Sequence, residues 1–292
     1  MLSFTEKTMK FIFILSGLAI ILFLAGILYI LLANSLPALT ELGIWPFFSP
    51  GRWNPAAYGE PTYSLVNLIY GTFMVTVGAL LFAVPVGVAA AAYLAEIASP
   101  WEREFFKPVV EVLAGIPSVV LGFFGLVVLG PIIARTFDLN SGLSALNGAL
   151  LVGIMALPTI ITLAEDAITA VPKEYRHASL ALGGTRWQTI WKITIPAAFS
   201  GITASAMLGM GRAIGETMTV LMVTGNMIAR PTSFLDSVRT LSANIAIDIG
   251  DVAFNSIHFH ALFVVGLVLF MITFTVNLLA DILIHRKPEV SK

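Results

Sequence analysis

Apolar residues gather in six long blocks along this chain, and most charged residues fall between them. The blocks cover residues 11–32, 65–94, 105–133, 146–170, 197–224 and 261–283. Each is near the roughly 20 residues that a membrane-crossing helix needs. The pattern predicts an all-α polytopic membrane protein with six transmembrane helices, organised as a single domain over residues 1–292. The first block carries no charge and follows Lys7 and Lys10. It is longer than the roughly 7–15 residues of a signal-peptide core, so it reads as an uncleaved span. Pro85, Pro117 and Pro158 lie inside blocks two, three and four. Such prolines are tolerated where neighbouring helices satisfy the freed carbonyls, and they imply kinks.

Composition agrees with a membrane setting. Of 292 residues, 58% are hydrophobic and 11% charged, against about 25% charged in soluble domains. A net charge of −1 offers no electrostatic footprint for nucleic acid. The absence of cysteine excludes disulfides and thiolate metal sites. Lysine and arginine set the direction. With the N-terminus inside, inner segments hold Lys7, Lys10, Arg103, Lys107, Lys173, Arg176, Arg186, Lys192, Arg286, Lys287 and Lys292. Outer segments hold only Arg52, Arg135, Arg230 and Arg239. Both termini are therefore expected in the cytoplasm.

Two outer segments are long. Residues 34–63 carry Trp45, Phe47, Phe48, Trp53, Tyr58 and Tyr63, suited either to the headgroup belt or to an outside partner. In residues 227–258, Phe234, Leu235, Val238, Leu241 and Ile245 have helical spacing. They predict a short amphipathic helix lying at, or dipping into, the outer surface.

The fifth block contains GMGRAIGETMT at 209–219. An intramembrane charge costs about 2.5–3.5 kcal/mol on insertion scales and faces a protein interior or a solute path. Arg212 and Glu216 stand at i and i+4, where one helix would pair them. Two uses stay open. The pair braces helix packing, or Arg212, Glu216 and Thr217 line a pathway in which the planar guanidinium meets an oxyanion. Elsewhere, Glu111 stands at i+4 from Lys107, placed to pair with it. His258 and His260 lack a third ligand nearby, so no metal is expected.

Residues 171–196 form the one sizeable inner loop, VPKEYRHASLALGGTRWQTIWKITIP. Residues 174–182 predict a helix, Gly183-Gly184 a break, and Thr185 a cap for a second short helix. Exposed Tyr175, Trp187 and Trp191 suit a partner surface or the inner leaflet.

The loop resembles the EAA loop of ABC-importer permeases, E-A-A-x3-G-x9-I-x-L-P. Here His177-Ala178-Ser179, three residues, Gly183, nine residues and Ile193-Thr194-Ile195-Pro196 keep that spacing. His177 replaces the glutamate, Ser179 the second alanine and Ile195 the leucine. The resemblance implies a coupling helix, with Tyr175, Arg176, His177, Ala178, Ser179, Gly183 and Trp187 at the contact with a cytoplasmic ATPase. The 209–219 run is similar to the phosphate-specific permease pair, whose G-R-A-x-G-E-T arginine and glutamate are important for transport, and looks like its PstC-type subunit.

That likeness implies the type I importer permease fold, a second PstA-like permease, an ATPase dimer and an extracytoplasmic phosphate-binding protein. The setting would be a prokaryotic inner membrane. The chain has no G-x-x-x-x-G-K-[ST] phosphate loop. It would bind no cofactor itself, and ATP and magnesium would sit on the partner ATPase. A permease for sulfate or molybdate, the other phosphate permease subunit, a self-sufficient ion-coupled carrier or channel, and a non-transporting membrane subunit are the competing readings.

Overall fold

The computed structural model describes residues 4–56 and 59–285. Tyr58, Arg286, Lys287 and Lys292 lie outside them. The elements in order are α1 (Phe4–Leu42), α2 (Trp45–Phe48), β1 (Trp53–Asn54), β2 (Thr62–Tyr63), α3 (Val66–Ala92), α4 (Pro100–Gly115), α5 (Ser118–Phe124) and α6 (Gly130–Thr136). There follow α7 (Ala145–Thr169), α8 (Lys173–Ala181), α9 (Arg186–Thr189), α10 (Ile195–Ala197), α11 (Phe199–Gly215), α12 (Met218–Val223), α13 (Leu241–Asp248) and α14 (Ile257–His285). Five-residue π turns at Tyr93–Ile97, Gly125–Leu129 and Ile190–Thr194 link neighbouring helices. Among the described residues, five helices are long and apolar enough to cross a membrane. A sixth crossing results if Arg186–Ala197 and Phe199–Gly215, bent by 70°, count as one span.

The centre of the molecule is α7, buried along most of its length, with α3 and α11 packed along it. The α1 helix lies outside this core, along α14. At 39 residues it reaches about 58 Å at 1.5 Å per residue, well beyond the 22-residue block that predicts it.

The third block is not one helix. Ser99 and Glu102 form a reciprocal capping box, and Pro100 takes the first turn, so α4 starts at Pro100. It ends before Pro117, because a residue preceding proline is pushed out of the helical region; Ile116 sits at φ −68°, ψ 125°. The spanning part is Ser118–Thr136. The α4 helix has no buried residue and an amphipathic pattern. Lys107 reaches Glu165 of α7 at 3.4 Å rather than the expected Glu111. Burying Glu165 without a cation would be costly, and α4 supplies one.

Residues 227–258 also differ from their helical expectation. Asp236 Oδ2 accepts from Thr232 N (2.7 Å), Thr232 Oγ1 (2.8 Å) and Ser233 N (2.9 Å). Those donations hold its carboxyl below the usual carboxylate range and bend residues 232–236 into a turn. The turn caps α7: Phe234 O and Asp236 O accept from Leu146 N and Ala145 N. Ahead of α14 only Leu241–Asp248 of this segment is helical, with Leu241, Ser242, Ala243 and Asn244 buried. The aromatic segment is divided as well. Phe47, Trp53 and Tyr63 are core residues, whereas Trp45 is exposed.

Close packing at α6 and α7 depends on Gly142, where a Cβ would run into the carbonyl of Gly130. Backbone cannot yield as a side-chain tip can. Gly142→Ala is expected to cost about 1–3 kcal/mol, lowering the thermal unfolding midpoint of the detergent-solubilised protein by several degrees. An unchanged midpoint would show that the two segments separate freely.

Candidate functional site

The α11 helix stops at Gly215, and Glu216 adopts φ −66°, ψ 130°. Glycines at 211 and 215 weaken the last turn, and the Glu216 side chain offers the backbone an alternative. Its Oε1 accepts from Thr219 N at 3.0 Å, capping the first turn of α12. Its carbonyl accepts from Ser242 Oγ of α13 at 2.8 Å. Thr219 continues the chain of contacts, donating from Oγ1 to Ser118 O (3.0 Å) at the start of α5 and lying 3.2 Å from Met155 Sδ of α7. Thr217 Oγ1 turns back to Gly215 O at 3.2 Å. Five helices therefore meet at the interruption 215–218.

The expected one-turn ion pair does not form. Arg212 and Glu216 no longer share a continuous helix, and among the described residues no ion pair includes Arg212. Among the described residues the half-buried guanidinium has one long hydrogen bond, Nη1 to Thr159 Oγ1 at 3.5 Å. A partly desolvated cation with unfilled donor positions is suited to a polyoxygen anion, which a planar fork grips through two oxygens.

Helix α8 projects from the spans on an anchor that sequence spacing did not single out. Arg176 donates from Nε to Glu96 Oε1 (2.7 Å), from Nη1 to Val171 O (2.7 Å) and from Nη2 to Ile168 O (2.9 Å). Arg176, expected at a partner contact, fixes α8 to the ends of α3 and α7 within the chain. Glu96 ends an apolar block, and that isolated acid was the signal available in the sequence. Ser179 Oγ lies 2.9 Å from Thr189 Oγ1, and Ser179 O accepts from Gly184 N at 3.0 Å. Those bonds fold α9 back onto α8. Thr185 and Gln188 form a capping box there. Tyr175, His177, Ala178, Gly183 and Trp187 are exposed, and Leu182 at the tip is 90% exposed. Trp187 sits edge-to-face with Trp191, ring centroids 5.6 Å apart.

Beside the start of α14 a second polar cluster ties residues far apart in sequence. Asp248 takes Trp53 Nε1 at 2.6 Å and lies 3.2 Å from His258 Nε2 and 3.9 Å from Arg239 Nη1. His260 bridges Asn34 O (2.8 Å) and Asn255 Oδ1 (3.0 Å). Among the described residues no three His, Cys, Asp or Glu side chains group as metal ligands.

The model of the binding-protein-dependent transport system inner membrane component family matches residues 83–287. The chain belongs to that family. The permease is 41% identical over 241 residues to the probable ABC transporter permease protein YqgH of Bacillus subtilis (strain 168), covering 82% of this chain and 78% of the relative. It is 34% identical over 259 residues to the phosphate transport system permease protein PstC of Xylella fastidiosa (strain 9a5c), again covering 82% and 78%. Among solved structures, a bacterial alginate ABC transporter bound to an alginate pentasaccharide-loaded periplasmic protein superposes with TM-score 0.65 at 14% identity, covering 98% of both chains. An inward-facing MetNI methionine ABC transporter gives 0.58 at 17%, covering 76% of this chain and 94% of the other. These likenesses establish the importer permease fold, and the sequence relatives agree with the PstC-type resemblance.

Gly183 has φ +83° with open space around its Cβ position, so substitution strains the turn without a clash. Gly183→Val is expected to cost about 1–3 kcal/mol locally. The spans should fold, while ATPase copurification or transport-linked ATP hydrolysis falls at least severalfold. Unchanged coupled hydrolysis would remove the turn from the coupling role.

Proposed function

We propose that this permease is the PstC-type half of an ATP-driven phosphate importer. The observation that carries the reading is Arg212, a half-buried cation that has no carboxylate partner among the described residues, beside the 215–218 interruption, in a chain whose relatives include PstC permeases. Phosphate presents several oxygens and negative charge, which suits a guanidinium fork. A moderate site also releases its ion, as conduction requires. Glu216 supplies the release. With the helix interrupted, its carboxylate caps α12 and leaves Arg212 available. With α11 and α12 continuous, Glu216 would return to the i+4 position and compete with the anion for Arg212. Thr217, at the hinge, offers a hydroxyl on the same path.

The partners in this reading are a PstA-like second permease, a cytoplasmic ATPase dimer that holds ATP and magnesium, and an extracytoplasmic phosphate-binding protein. The α8–α9 unit is the coupling element; in this reading α8 and the exposed tip at Leu182 meet the ATPase, and α9, whose Arg186 and Trp187 line the clefts beside α3, does not. Both termini and this unit lie in the cytoplasm, as the lysine and arginine distribution supports. Membrane lipid surrounds the spans, and no nucleic acid takes part.

Two experiments test this. In proteoliposomes holding the assembled importer, Arg212→Gln should lower phosphate uptake by about two orders of magnitude, matching loss of charged hydrogen bonds worth about 3 kcal/mol. Expression and ATPase copurification should persist. Glu216→Gln should impair uptake, and the Arg212→Glu, Glu216→Arg swap should not restore it. A swap that transports normally would reduce the pair to a packing device. For topology, single cysteines at Ser49 and Ser233 should react with an impermeant maleimide in intact cells, and one at Ser179 only after permeabilisation. Labelling of Ser179 from outside would invert the arrangement.

A further inference from the structure

Two adjoining clefts open where α3 and α9 meet. The larger, of about 470 Å3, is walled by Pro85, Val88, Tyr93, Trp191 and Ile195 among other apolar residues. The smaller, of about 340 Å3, adds Glu96, Arg176, Arg186 and Thr189. Ile97, Trp187 and Ile190 line both, so an apolar slot leads to a polar mouth. Both volumes lie in the range of small-molecule sites, about 300–1,000 Å3. The π turns at Tyr93–Ile97 and Ile190–Thr194 supply residues to both clefts.

The mouth is positive. Glu96 is neutralised by Arg176 at 2.6 Å. Arg186 lines the mouth, and Lys192, six residues on and exposed, lines neither cleft; neither has an acidic partner among the described residues. Trp187 and Trp191 are 62% and 53% exposed. Large indoles at that level suit the boundary between acyl chain and headgroup, apolar ring inward and N–H toward polar ester or phosphate groups.

We infer that these clefts bind one anionic phospholipid, an acyl chain in the slot and the phosphate at Arg186. Charge selects the occupant. A zwitterionic headgroup would bring its own cation to Arg186, whereas a net anionic one adds no repulsion, and basic pockets between helices on the cytoplasmic side recognise anionic headgroups. The inference rests on the proposed topology, and its test reads lipid binding without reading phosphate transport.

The assembled importer is reconstituted in phosphatidylcholine vesicles, and brominated phosphatidylglycerol or brominated phosphatidylcholine is introduced in steps. The quenching belonging to the two indoles is the difference between wild type and Trp187→Phe/Trp191→Phe. Half-quenching should need about fivefold less of the anionic lipid for each cation engaged. Arg186→Gln/Lys192→Gln should erase that preference. Native mass spectrometry of wild type and the Gln variant gives a second readout that does not need the Phe variant to assemble. Retained phosphatidylglycerol should drop to background in the Gln variant. Equal potency of the two lipids would mean annular lipid only, no quenching would mean that the second permease covers the clefts, and a preference surviving in the Gln variant would place the headgroup elsewhere. Any of these overturns the proposal. Phosphate uptake by the same vesicles reports independently on the transport reading.

Discussion

Inside a bilayer an unsatisfied peptide group costs several kcal/mol, so every interruption of a spanning helix needs an answering side chain. This chain interrupts its helices often and answers with few residues. Asn147 Nδ2 donates to the carbonyls of Gly125 and Gly142, holding the π turn inside the third span. Arg103 takes Leu94 O at 2.6 Å and Ala95 O at 3.1 Å where α3 ends. Glu216, Ser242 and Thr219 do the same around the break after α11. The residues that keep the backbone satisfied are thus the ones that join helices, and a break becomes a junction.

Seen this way, Arg176 and Arg212 are opposites. All three donor positions of Arg176 named above are filled by one carboxylate and two carbonyls, and it acts as a strut. Among the described residues Arg212 has a single 3.5 Å contact, at the limit of a hydrogen bond. One arginine is spent on rigidity and the other is left available, although the sequence places both among candidate functional residues. Contact geometry separates them; residue type does not.

The helical fold was legible because hydrophobic blocks of about 20 residues admit few other structures in lipid. The α8–α9 unit was legible too, since Gly183 and Thr185 act locally: one allows the positive φ, the other caps four residues on. What escaped the reading was non-local. Apolar periodicity runs through residues 105–133 and 197–224 without a gap; Pro117 announces a kink but not a full break at Ile116, and the periodicity does not tell that Glu216 leaves the helix. Glu216 looked like the partner of Arg212 because i and i+4 meet on a helix, but its carboxylate found a closer donor in Thr219 N. Asp248, which joins Trp53 of the first long connection to Arg239 and His258 of its own, could not be ranked above other acids before the two connections were brought together. Glu165 likewise found its cation on α4 and not within its own helix.

The long α1 helix stands apart from this economy. Its most apolar stretch is 0% buried, and it lies along α14 rather than in the α3–α7–α11 core. Few of its side chains must fit a shaped neighbour, so apolar character matters there more than identity. Exchanging Leu, Ile, Val or Phe along its lipid-facing surface alters neither cavity volume nor hydrogen bonding. Over evolutionary time that surface is free to drift, while the small residues of α7 are held in place by the helices that press against them.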